Sequence, residues 1–257
     1  MPEFCTAERD GHVTVVTINR PERMNALHSP AHYELSAIFD DFERDPDQWI
    51  AILTGEGERA FSAGNDLKWQ AEGGTRDRPD TGFGGITTRF DRTKPLIAAV
   101  NGVAMGGGFE LALASDIIIA AENAVFALPE PLVGLAALAG GLHRLPRQIP
   151  MKQAMGMILT GRRVPAREAF DLGIVTEVVP EGEALSAAKR WAADIEKCSP
   201  LSIRASIETV MKGQTYASVE EAMNADYPAV TRMRESEDFV EGPKAFSEKR
   251  PPNWKGK

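Results

Sequence analysis

The sequence predicts an α/β fold that gives way to an all-helical C-terminal region. Two observations carry this. Up to about Glu181, short β-branched or apolar runs alternate with segments of helical periodicity, the pattern of parallel strands joined by right-handed crossovers. After Glu181 no strong strand remains. A chain of 257 residues suits one large domain or a domain with an appendage, and we place the division at 1–181 and 182–257.

Each element has its own warrant. Val13–Ile18 is β-branched throughout and reads as a strand. Pro30–Glu43 carries Tyr33, Leu35, Ile38, Phe39 and Phe42 as a helical stripe. Ile50–Thr54 is a short buried strand closed by Gly55, and Pro95–Val100 is the next. A short helix follows over Gly107–Ala114, then strands over Asp116–Ala120 and Ala124–Ala127. Gly141–Ile149, Pro150–Thr160 and Ala166–Leu172 read as helices, the last ended by Gly173. Ile174–Val179 is the final strand. Glu183–Cys198, Pro200–Lys212, Val219–Glu235 and Asp238–Lys249 read as helices. Asp238 and Glu241 have capping-box spacing, and Pro243 is placed to open the last short helix. Gln70–Phe90 holds five glycines among mixed charges and reads as a long loop, either a mobile surface segment or a functional one.

Bulk composition excludes several classes. An apolar share of 43% is ordinary for a globular protein, and 26% charged residues argues against a membrane protein. The apolar stretch from Pro95 to Ala121 is interrupted by polar residues and glycine, so it reads as buried core and not as a span. The net charge of −8 disfavours nucleic-acid binding, which needs a basic footprint. Two cysteines, Cys5 and Cys198, provide neither a disulfide framework nor a metal cluster and are compatible with a reducing cytoplasm. The N-terminus lacks a basic region followed by an apolar run, so no secretory signal is read. His28 and His32 have i,i+4 spacing, but Pro30 lies between them and no third ligand is evident; no metal is expected. Gly-Xaa-Ser-Xaa-Gly and Gly-Xaa-Gly-Xaa-Xaa-Gly are both absent, against an α/β-hydrolase or dinucleotide site.

Two segments carry the chemistry. One is Phe61-Ser62-Ala63-Gly64-Asn65-Asp66-Leu67-Lys68; the other runs from Asn101 through Gly106-Gly107-Gly108 to Phe109-Glu110. Each places small residues where a strand gives way to a helix, leaving backbone N–H groups unobstructed. Two such groups aimed at one point make an oxyanion hole, worth roughly 3 kcal/mol per donor in a transition state. Glu110 lies about one helical turn beyond the glycines among apolar neighbours, where a carboxylate is costly unless paired or functional. Glu130 follows twenty residues later between two prolines. An oxyanion hole beside two acid/base carboxylates points to enolate chemistry.

These segments resemble the signature of the crotonase, or enoyl-CoA hydratase/isomerase, superfamily. The resemblance runs from Val13 to about Trp254 and is closest to enoyl-CoA hydratases and carnitinyl-CoA dehydratases. It includes Gly106–Ala114, Glu237–Pro243 and the ending Glu248–Gly256. It implies a spiral of ββα turns, with a C-terminal helical region that drives trimer formation and pairing of trimers into hexamers. It implies oxyanion donors at the amides of Ala63 and Gly107, with Glu110 as base on water and Glu130 as acid toward the α-carbon. It implies a coenzyme A thioester as substrate, contacted by Ala63, Gly64, Asn65, Asp66, Leu67 and Gly107. Ala26 and Leu27 then line the adenine pocket, Lys68 lies near the phosphates, and Gln70–Phe90 forms a lid over the acyl pocket. No separate cofactor is implied. Two retained glutamates favour hydration over the family's isomerases, hydrolases and RNA binders. One departure stands out: Ala137 occupies a position where the family usually has proline, so the wall beside the water is expected to be apolar and flexible.

Overall fold

The computed structural model describes residues 3–257. The chain forms two compact units, one running up to Asp91 and continuing over Leu96–Arg190, the other made of Arg92–Pro95 and Trp191–Lys257.

The first unit holds two sheets. Strands β1 (Cys5–Asp10), β2 (Val13–Ile18), β3 (Ile50–Gly55), β5 (Leu96–Val100), β7 (Ile117–Ala121) and β10 (Glu177–Val179) form one, in the order β1-β2-β3-β5-β7-β10. All its pairings are parallel except β1 with β2. Strands β4 (Ala60–Ser62), β6 (Val103–Met105), β8 (Val125–Ala127) and β9 (Val164–Pro165) form the second, in that order. Consecutive strands thus go to alternate sheets: β3 then β4, β5 then β6, β7 then β8. Each pair makes one turn of a ββα spiral, the α/β layout expected from the sequence. The central strands β3 and β5 are buried along their whole length, as parallel strands covered on both sides must be.

Helix α1 (Ser29–Arg44) buries Leu35, Ile38, Phe39 and Phe42 of the expected stripe, while Tyr33 is exposed. Helix α2 (Leu67–Ala71) follows β4, and α3 (Gly107–Leu113) follows β6 with every residue buried. Helices α4 (Gly141–Gln148), α5 (Met151–Thr160) and α6 (Ala166–Asp171) complete the unit. Sequence patterning missed β1, β4, β6, β9 and α2. Four of these have five residues or fewer, too short for either period to register. β1 is an edge strand whose residues after Cys5 are all exposed, so it carries no alternation to read.

Helix α7 (Ala184–Glu196) carries the chain into the second unit, which contains α8 (Pro200–Gly213), α9 (Val219–Asn224), α10 (Pro228–Arg234) and α11 (Glu237–Ser247). The single helix expected over Val219–Glu235 is broken in two, because Pro228 lacks the N–H an interior position needs and sits instead at the start of α10. Two expectations at α11 are corrected. Its cap is Ser236, whose hydroxyl accepts from the Phe239 N–H at 3.2 Å. Pro243 lies inside the helix. Asp238 is buried and engaged elsewhere, accepting from the Ser199 hydroxyl at 2.8 Å and the Lys255 N–H at 2.7 Å. The C-terminal tail is folded back by these bonds and by the fork of Arg250 on Glu241, at 2.6 and 2.9 Å. No helix among the described residues is long and apolar enough to cross a membrane.

Candidate active site

The site is built where the spiral brings the end of β4 against the start of α3. Gly106 has φ 53° and ψ −123°, a conformation open only to glycine, and it turns the chain from β6 into α3. Gly108 then approaches β4 so closely that a Cβ there would stand 2.0 Å from the Ser62 carbonyl oxygen. Gly64 abuts the same helix start; its Cβ would lie 2.9 Å from the Gly107 nitrogen. The two glycine-containing segments therefore interlock, which neither could do alone.

The Ala63–Asp66 loop is tied down from several sides. Leu27 N–H donates to Gly64 O at 2.7 Å, and Asp66 N–H donates to Leu27 O at 2.9 Å. Asn25, held at φ 54°, donates through Nδ2 to Ala60 O at 2.7 Å, and Ser62 Oγ donates to Asn25 O at 2.8 Å. Asp66 caps α2 through the Trp69 N–H at 3.0 Å and pairs with buried Arg20 at 3.0 Å.

These bonds correct part of the expected residue set. The Ala63 N–H donates to Met24 O at 2.9 Å, so it is not a free donor for an oxyanion. The amides of Asn65 and Gly107 have no acceptor among the described residues. Leu27 is fully buried with both backbone groups engaged, so it anchors the loop and lines no accessible pocket; Ala26 is also buried. The Asp66 carboxylate faces Arg20, so it also acts on the loop from within. Leu67 and Lys68 are exposed on α2 beside the loop.

The two carboxylates flank the start of α3. Glu110 is only 3% exposed and accepts from the Gly141 N–H at 2.8 Å. Burial pushes its pKa up to about 7; the Gly141 and Ala139 amides pull it down, and the Glu130 charge pushes it further up. Glu130 lies on a 3₁₀ turn after Pro129, and its Oε1 faces Gly106, where a Cβ would stand at 3.0 Å. Its Oε2 is buried without a hydrogen-bond partner among the described residues, and burial raises its pKa as well. Ala137 is buried, its Cβ 3.0 Å from where a Cβ on Gly141 would stand, and its N–H has no acceptor among the described residues. Glu110 is thus positioned by the backbone amides of Gly141 and Ala139, while residues 136–139 supply an apolar wall with no polar side chain.

Two residues that sequence reasoning missed complete the wall. The Phe83 ring occupies the space over Gly107, where a Cβ would meet it at 2.3 Å. His32 holds that ring edge-on with centroids 4.5 Å apart, and its Nδ1 accepts from the Gly84 N–H at 2.9 Å. Burial lowers the His32 pKa to about 3, so it stays neutral and able to accept. His28 sits at the N-cap of α1 between Phe4 and Trp69 and does not share a ligand set with His32. The signal for Phe83 was its place among the glycines of Gln70–Phe90, which let a ring reach the helix start.

The sequence pattern of the family described as enoyl-CoA hydratase/isomerase matches residues 8–257. The chain belongs to the enoyl-CoA hydratase/isomerase family. It is 42% identical to a carnitinyl-CoA dehydratase of Salmonella typhi over 269 aligned residues, covering all of both chains. Among solved structures it is similar to an enoyl-CoA hydratase from Mycobacterium tuberculosis H37Rv, with TM-score 0.94, 38% identity and full coverage of both chains. It is also similar to a carnitinyl-CoA hydratase from Mycobacterium avium, with TM-score 0.77, 40% identity and 99% coverage of each. The crotonase fold implied by the glycine segments is therefore present, and the candidate site is the junction of those segments.

Proposed function

We propose that the protein is an enoyl-CoA hydratase-type lyase, which reversibly adds water to a 2-enoyl-CoA to give a 3-hydroxyacyl-CoA. The observation that carries this reading is the flanking of the α3 start by two raised-pKa carboxylates, Glu110 buried and Glu130 half-buried, beside two unengaged amides. The amides of Asn65 and Gly107 bind the thioester oxygen and draw electron density from C3. Glu110, ionised, takes a proton from water as its oxygen bonds to C3. The π electrons move toward C2 and the enolate oxygen. Glu130, protonated, then delivers its proton to C2 as the enolate collapses. The carboxylates end in exchanged protonation states, and proton exchange with solvent restores them. Coenzyme A enters as part of the substrate, with Lys68 toward its phosphates, and no further cofactor takes part. Dehydration of a carnitinyl-type thioester is the second reading, favoured by relatives that carry that name. A cytoplasmic place of action accords with two unpaired cysteines.

Hydration in ¹⁸O-labelled water tests this. With a 2-enoyl-CoA, label is expected at C3 of the product as the conjugated absorbance disappears. Double-bond migration without label uptake would assign an isomerase on the same scaffold.

We also propose assembly as a homotrimer or hexamer through the helices of 182–257. Val219, Met223, Val240 and Phe246 are exposed there, more apolar surface than a solitary helical unit ordinarily leaves in water. Scattering in solution is expected to give a trimeric or hexameric mass, and truncation after Pro180 to give aggregate. A stable, active monomer would contradict it.

A further inference from the structure

Arg78 lies in the Gln70–Phe90 segment, with its guanidinium over the face of Phe83, 5.2 Å from the ring centroid. That ring fills the space over Gly107, one of the two unengaged amides. Arg78 has no ion-pair or hydrogen-bond partner among the described residues, although Asp77 and Asp80 lie close in sequence. Its charge also acts on Glu110 and on His32, in keeping with its place over the Phe83 ring. Partial desolvation lowers its own pKa, as expected for a cation on an apolar wall, yet guanidinium stays charged.

We propose that Arg78 is a specificity-determining residue that selects acyl-CoA substrates whose acyl chain ends in a carboxylate. The proposal rests on the hydratase reading above. Two glutamates make the site repel an anionic acyl group unless a cation compensates, and Arg78 is positioned to do so. A planar guanidinium with all its donors unengaged matches a carboxylate in a two-bond fork. The same charge disfavours a quaternary ammonium headgroup, so one residue both attracts one class of acyl chain and rejects another. The coenzyme A phosphates are the other anion at hand. They lie a pantetheine arm away from the thioester, on the side where we place Lys68.

The test uses three 2-butenoyl-CoA thioesters that differ only at C4, carrying a methyl, a carboxylate or a trimethylammonium group. Wild-type kcat/KM is expected to favour the carboxylate over the methyl compound by at least ~10-fold, the scale of one charge-assisted bond. Arg78→Gln should reduce that ratio to near one, and Arg78→Glu should shift preference to the trimethylammonium compound. A wild-type enzyme that hydrates the methyl compound without preferring the carboxylate overturns this proposal alone. So does a preference that survives in Arg78→Gln, or a uniform rise in KM for all three thioesters, which would assign Arg78 to the coenzyme A phosphates. Hydration of none of the three overturns the hydratase reading, and this proposal with it.

Discussion

Glu110→Gln and Glu130→Gln are each expected to lower kcat by at least ~10²-fold, the low end for general acid–base groups. Thioester affinity should change little, because the Asn65 and Gly107 amides remain. Full hydratase activity in both variants would remove the carboxylates from the mechanism. The pH dependence follows from the same residue. Glu110 must be ionised to act as base and Glu130 protonated to act as acid, so wild-type kcat/KM should rise through pH about 7 and fall again at higher pH as Glu130 ionises.

The same substitution should have the opposite effect on stability. The unfolded Glu110 carboxyl ionises from about 4.5, whereas the folded one holds its proton to about 7. Between these values the folded state binds more protons, so wild-type stability falls as pH rises through the window. A shift of this size corresponds to on the order of 3 kcal/mol. Glu110→Gln keeps an oxygen for the Gly141 amide and carries no charge. It is expected to melt above wild type at pH 8, with the gap narrowing toward pH 5. A gap independent of pH would mean that the carboxyl is not held protonated by its surroundings.

Gly108→Ala is expected to be the most disruptive single-methyl change in the molecule. The added Cβ would stand 2.0 Å from the Ser62 carbonyl oxygen, a backbone atom that no side-chain rotation can move. The helix start must retreat from β4, taking the Gly107 amide and Glu110 with it. We expect a loss of about 3 kcal/mol, the upper part of the overpacking range. For a chain of this size that is a fall in Tm of roughly 6–12 °C. Activity should be lost even at temperatures where the variant stays folded, because the two glycine segments no longer interlock. An active variant melting within a degree or two of wild type would show that the contact is not needed.

Much of the fold and of the site could be read from the residues. The alternation of β-branched runs with helical stripes is written in local periodicity, and it led to the α/β spiral. Gly107, Glu110 and Glu130 were legible because a helix-opening glycine and an acid among apolar neighbours are each unusual in a one-dimensional pattern. Short elements such as β4, β6 and α2 were not legible, since three to five residues hold less than two helical turns or strand repeats.

What the sequence alone determined is the chemistry on offer: a glycine-opened helix, two carboxylates and a loop rich in glycine. Only the tertiary structure decided which amides are free to use. The sequence reading places the donor at Ala63, but the Met24 carbonyl takes that amide and, of the two, leaves the Asn65 amide without an acceptor among the described residues. Likewise, nothing local distinguishes Arg78 from Arg76, or Phe83 from Phe90. Phe83 gains its role from packing over Gly107, twenty-four residues away, and Arg78 gains its role from Phe83. Hydrogen-bond competition and close approach are properties of pairs distant in sequence, and for that reason they become visible only when the chain is folded.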